Sequence, residues 1–128
     1  IGLIEVDGSM SHIFAMNAAL DRGEIVSMTG DRLLGSPKAL KCSFLGAEAR
    51  FPMGPFALAV QKDVPMLAMF AMRENARSYR VFVRSIESHD DLPLRARMAA
   101  MAQSFASELE EIVKQYPTQW FNYYDFWA

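Results

Sequence analysis

Apolar residues recur along this chain at two different intervals, and the switches between them predict its elements. Ile1-Gly-Leu-Ile-Glu-Val6 alternates loosely and reads as an edge strand, punctuated by Asp7-Gly-Ser9. From Met10 to Arg22 the residues Ile13, Met16, Ala19 and Leu20 fall at helical spacing. Ser9 or Ser11 is placed to cap that helix, and Gly23 stands just past its end. Glu24 to Thr29 carries Ile25, Val26 and Met28 and reads as a short buried strand. Helix, glycine, strand is how an α/β chain returns to its sheet. The strand stops at Gly30 and delivers Asp31 and Arg32 to the solvent edge.

Leu33 to Lys41 contains Gly35, Ser36, Pro37 and two lysines, and reads as a loop. Lys41-Cys-Ser-Phe-Leu45 and Glu48-Ala-Arg-Phe51, joined at Gly46-Ala47, predict a hairpin. Pro55 suits the first turn of a helix carrying Phe56, Leu58, Ala59 and Val60 and ending near Lys62-Asp63. Val64 to Met72 is almost wholly apolar, the pattern of a central strand covered on both faces. Tyr79 to Ile86 alternates, with Tyr79, Val81 and Val83 on one face and Arg80, Phe82 and Arg84 on the other. That predicts an antiparallel partner strand. Pro93 to Tyr116 is the longest helix, with a stripe of Met98, Met101, Phe105, Leu109, Ile112 and Tyr116. Pro117 stops it. The tail Trp120-Phe-Asn-Tyr-Tyr-Asp-Phe-Trp127 is too aromatic to stand in water and should dock on the body or meet a partner. The expected fold is mixed α/β: a mostly central sheet flanked by helices, a long C-terminal helix and an aromatic tail.

Composition narrows the class. The chain has 128 residues, enough for one core, and 52% of them are hydrophobic. Residues 1–128 read as one domain, without repeat, linker or low-complexity tract. A net charge of −2 gives no basic field, so nucleic acid is not an expected partner. The single cysteine, Cys42, excludes an intrachain disulfide framework and a cysteine-rich zinc site. No apolar run is long enough to span a bilayer, and no signal peptide is visible. The chain opens on Ile1 rather than Met, which predicts that it begins inside a longer gene product or has been processed or trimmed.

Candidate chemistry centres on Gly30, Asp31 and Arg32. A strand C-terminus in an open α/β sheet is where ligands usually sit. The planar fork of an arginine matches a phosphate or carboxylate, and Asp31 can orient it or accept from a ligand hydroxyl. The same pair also reads as a structural Asp–Arg pair capping a turn. Lys38, Lys41 and Arg50 add positive charge nearby or form a solvated face. His12 is followed five positions on by Asn17, and His89 lies among Glu87, Asp90 and Asp91. Neither histidine has the converging ligands that a metal needs, and both read more readily as structural or exposed than as catalytic. Cys42 reads as a small buried hydrophobe. No serine carries a nucleophile-elbow pattern, and there is no P-loop or Gly-x-Gly-x-x-Gly fingerprint. The nine methionines read as core filler, or alternatively as a malleable lipid-facing groove.

The order of motifs carries a resemblance. Ala19-Leu-Asp-Arg-Gly23 leads into Ile25-Val-Ser-Met-Thr-Gly-Asp31-Arg32. Then come Phe44-Leu-Gly46, Ala49-Arg-Phe-Pro52, Gly54-Pro-Phe-Ala-Leu-Ala59 and Val64-Pro65. Pro117-Thr-Gln-Trp-Phe121 and Tyr124-Asp-Phe-Trp127 close the series. Over nearly its whole length the chain resembles the C-terminal half of the lysophospholipid acyltransferase superfamily. Within it, the chain is most similar to the bacterial lipid A biosynthesis (lauroyl/myristoyl) acyltransferases. The resemblance implies a membrane-associated enzyme at the cytoplasmic face of the bacterial inner membrane. It would move a fatty acyl chain from a thioester carrier, acyl-ACP or acyl-CoA, to a hydroxyl of a lipid acceptor, with no cofactor.

The family's acid/base motif is His-x-x-x-x-Asp or Glu, upstream of the segment matching Gly30-Asp31-Arg32. Here His12 is followed by Asn17, an amide that cannot serve as the carboxylate partner, and it lies too close to Asp31. The dyad is therefore not carried onto His12. The chain is expected to be a C-terminal fragment without it, inactive alone. By position, Asp31 and Arg32 match the acceptor-side motif, Val64 and Pro65 the segment opening a core strand beside the acyl site, and Gly54 and Pro55 a helix start behind it. A fragment would leave unpaired strand edges, so self-association is expected. The competing readings are a non-catalytic lipid- or protein-binding domain of the same fold, and a small α/β domain for another anionic ligand.

Overall fold

The structure is a computed structural model that describes residues 1–6, 10–33 and 38–127. Helix α1 spans Ser11–Asp21. Its N-cap is Met10, with no side-chain cap hydrogen bond, so Ser11 is the first helical residue and not the cap; Ser9 lies outside the described residues. At its other end Gly23 has φ 78° and closes a Schellman motif. The Gly23 N–H donates to the Leu20 carbonyl and the Glu24 N–H to that of Ala19. Of the predicted stripe only Ala19 is buried; Ile13, Met16 and Leu20 are half-buried.

Two expected strands do not form. Residues 1–6 and 24–29 have no strand assignment, and Ile25 is 96% exposed where a buried strand was expected. A strand is stabilised by its ladder, and no described strand lies beside either segment. Among the described residues four strands form, in two separate antiparallel hairpins rather than one central sheet. The mixed α/β class stands.

Strands β1 (Ala39–Phe44) and β2 (Ala47–Pro52) pair from Ala39↔Pro52 to Phe44↔Ala47. The turn is Leu45-Gly46, one residue earlier than the sequence suggests, with φ 51° and 84°. Positive φ at both central residues is what a two-residue hairpin of this twist requires. Leu45, which has no glycine freedom, is held there by donating its N–H to Glu110 Oε2 at 2.7 Å. Helix α2 (Gly54–Lys62) starts as expected at Pro55 and ends on Asp63 in the left-handed region. Strands β3 (Met66–Arg73) and β4 (Tyr79–Ile86) pair from Met66↔Ile86 to Arg73↔Tyr79.

Helix α3 (Leu94–Gln115) joins these parts. It buries Met98, Met101, Ala102, Ala106, Leu109, Ile112 and Val113. Residues spaced by three and four share a face, and here that face meets both hairpins and α2. Phe44, Phe51 and Phe56 are fully buried against it, with Phe70 and Phe126 nearly so. Phe105 and Tyr116, expected in the stripe, pack at the margin of this core. Arg97 fastens the start of α3. It pairs with Asp90 at 2.6 Å and Asp63 at 3.1 Å and donates to the Ser88 carbonyl. A short 3-10 turn, Pro117–Gln119, then leads into the tail.

β3 is not covered on both faces. Ala68 and Phe70 point into the core, while Leu67 and Met69 are 64% and 69% exposed on the other side.

Candidate functional site

Gly30 is where the extended segment passes α3. A Cβ placed there would lie 2.6 Å from Cζ and 2.9 Å from Cε1 of Phe105. The glycine is thus required by a close approach, and this contact sets the position of the next two residues.

Asp31 and Arg32 are held by the C-terminal tail, some ninety residues on. Arg32 Nη2 donates to the Phe121 carbonyl at 2.8 Å, and Nη1 to Asn122 Oδ1 at 3.1 Å. The guanidinium lies 5.8 Å from the centroid of the Tyr124 ring. Trp120 Nε1 donates to Asp31 Oδ2 at 3.3 Å, and the Tyr124 hydroxyl to the Asp31 carbonyl at 3.2 Å. Asp31 and Arg32 face each other at 3.8 Å, the loose limit of an ion pair. Their side chains stay 21% and 29% exposed. An arginine has five N–H donors. Two go to neutral oxygens of the tail, leaving three donors uncommitted among the described residues.

The tail can do this because it is anchored on both sides of Asn122. Trp120 packs edge-on to Phe44 and Phe126, and Phe126 is buried. Trp127 stacks on Phe44 and donates its indole N–H to the Phe44 carbonyl. Gln119 grips β3, accepting from the Arg73 N–H and donating to the Arg73 carbonyl. Docking of the aromatic tail on the body follows from its composition. That it docks on Asp31 and Arg32 does not, because no local pattern links positions so far apart.

The other candidate cations lie on or beside the first hairpin. Lys38 is exposed at the start of β1, where its carbonyl accepts from the Met53 N–H. Lys41 and Arg50 are cross-strand partners on the outer face of the first hairpin, and Glu48 pairs with Lys41 at 2.7 Å. With Ala39 and Trp127 they line an open depression of about 470 Å³.

The sequence profile of bacterial lipid A biosynthesis acyltransferases matches residues 5–127. The chain belongs to this family. Comparison with curated proteins finds no match.

In this acyltransferase-family chain the histidines do not assemble a dyad among the described residues. Asn17 donates to the Ile13 carbonyl within α1, and His12 Nδ1 is buried without a partner. His89 sits at φ 52° before α3, 3.5 Å from the Ser104 hydroxyl and 3.9 Å from Glu87. Cys42 is buried, and burial pushes its thiol up to about 11, so it is a poor nucleophile near neutral pH. No group of three or more metal-ligating side chains converges among the described residues, and no described helix is long and apolar enough to cross a membrane.

Proposed function

We propose that this chain forms the acceptor side of an acyltransferase. The enzyme transfers a fatty acyl chain from a thioester carrier, acyl-ACP or acyl-CoA, to a hydroxyl of a lipid acceptor. It works at the cytoplasmic face of the bacterial inner membrane and needs no cofactor. Gly30, Asp31, Arg32 and Lys38 bind the acceptor's headgroup: Arg32 and Lys38 meet its anionic group, and Asp31 orients the arginine or accepts from a headgroup hydroxyl. The carrying observation is Arg32, a guanidinium fixed by neutral partners with donors to spare, in a chain of this family. Chemistry falls to a His-x-x-x-x-acid motif that this sequence does not contain: its histidine removes the acceptor proton as the hydroxyl attacks the thioester carbonyl. The resulting oxyanion needs donors, and the thiol of the carrier leaves. The chain alone is then inactive. Asn17 standing where such a motif needs a carboxylate favours, as second reading, a non-catalytic lipid- or protein-binding domain of the same fold.

The test is Arg32→Ala in the intact enzyme, beside Arg32→Lys. The acceptor KM should rise roughly tenfold or more for Ala and less for Lys, with kcat little changed, because a charge-assisted contact common to ground and transition states is lost. Removing the acceptor's phosphate should erase the difference between variant and wild type. An unchanged acceptor KM would sink the assignment.

A further inference from the structure

The tail does more than close the core. We infer that Asn122 is a positioning residue for the headgroup site: it sets the orientation of the Arg32 guanidinium. This inference rests on the reading of Arg32 as the headgroup-binding group.

Three observations carry it. First, a free arginine side chain samples many rotamers. Here one edge of the fork is tied to two tail oxygens, and Tyr124 lies beside the guanidinium. The remaining donors therefore face a direction set by the tail. Second, both tail acceptors are uncharged, an amide oxygen and a backbone carbonyl. They orient the cation without neutralising it. Third, the adjacent Asp31 carboxylate accepts from the Trp120 indole through the same Oδ2 that pairs with Arg32 Nη2, and at 3.8 Å that pair is too long for a hydrogen bond, so it takes up none of the free donors. Asn122 is itself braced, its N–H donating to the Trp120 carbonyl at 2.9 Å and its Nδ2 lying 3.4 Å from the Tyr124 carbonyl. A tail needed only as a hydrophobic plug would be served by Trp120, Phe126 and Trp127, and would have no use for an amide aimed at the arginine.

The experiment compares Asn122→Ala, Asn122→Asp and Arg32→Ala in the intact acyltransferase, with a phosphorylated glycolipid as acceptor. Tail docking is followed by tryptophan fluorescence and melting temperature. Asn122→Ala releases the fork, and the acceptor KM should rise roughly fivefold to tenfold with kcat little changed. Asn122→Asp keeps an oxygen for Arg32 and adds an ion pair, so the tail should stay docked and the melting temperature hold or rise. Yet the acceptor KM should rise at least as much as for Ala, because a second and closer carboxylate now competes with the headgroup for the cation. A fastening-only role predicts a normal KM for Asn122→Asp. If Arg32→Ala raises the KM but Asn122→Asp does not, the inference is overturned and the reading of Arg32 survives. An Arg32→Ala variant with unchanged KM removes that reading and the inference together. Should Asn122→Ala undock the tail, Asn122→Asp alone decides.

Discussion

Gly30 shows how a residue can matter through what it lacks. The ring that would meet an added methyl, Phe105, is boxed by Phe51, Phe56 and Phe70 at centroid distances of 6.0 to 6.1 Å. It cannot swing aside without disturbing three aromatic neighbours. Gly30→Ala should therefore cost about 1–3 kcal/mol, measured as a lowered urea midpoint. Shrinking the ring should recover part of that loss, so Gly30→Ala with Phe105→Leu should be less than additive. An unchanged midpoint in the single variant would show that the chain can slide away from α3. At this scale the sequence is half legible. A glycine before an Asp–Arg pair reads as the end of a strand, and it does lead into the candidate site. That Phe105, seventy-five residues later, is the reason for it is a contact that no local spacing encodes.

Among the elements, α3 is the one the pattern describes best, and it has a second role the pattern hides. Its apolar stripe follows from intervals of three and four, a property of one helix alone. Two of its polar side chains, Gln103 and Glu110, hold strand and turn backbone. Gln103 accepts from the Ser43 N–H at 2.8 Å and donates to the Ser43 carbonyl at 3.0 Å, as a neighbouring strand would. Gln119, just beyond the helix, does the same at Arg73. Glu110 holds the Leu45 turn, and its carboxylate lies below the usual range because Lys114 and the Leu45 N–H both favour the charged form. The strands themselves are legible only where their partner is near in sequence. Both hairpins are found within a residue or two, while 24–29, with strand-like composition and no described strand partner, forms no strand. Gln103→Leu should remove both contacts to β1 at a cost of about 1 kcal/mol, since water reaches Ser43. Amide exchange at Ser43 should quicken. Gln103→Glu, which keeps an acceptor and loses the donor, should leave that amide largely protected. Equal exchange in all three proteins would deny the glutamine its surrogate-strand role.

For the molecule as a whole, the informative surface is the outer face of β3 and β4. An unbroken apolar run such as Met66 to Met72 signals two faces to bury, and this chain buries one. On the other, Leu67 and Met69 lie beside Val83 and Val81, all at least half exposed, with Tyr79 at the far end. Among the described residues each strand also has only one strand neighbour, so backbone groups remain open to pairing. A contiguous apolar face of this kind seldom stays in water. Neither formal charge nor a proline interrupts it between Leu67 and Ala71. The isolated 128-residue chain should therefore self-associate, with a mass by light scattering that grows with concentration. Met69→Lys combined with Val83→Lys, cross-strand partners on that face, should shift the population toward monomer. The melting temperature should hold, because neither side chain contributes to the core. A wild-type chain that is strictly monomeric and well folded at high concentration would show that the face tolerates water. A lysine variant that still associates would move the contact to the strand edges.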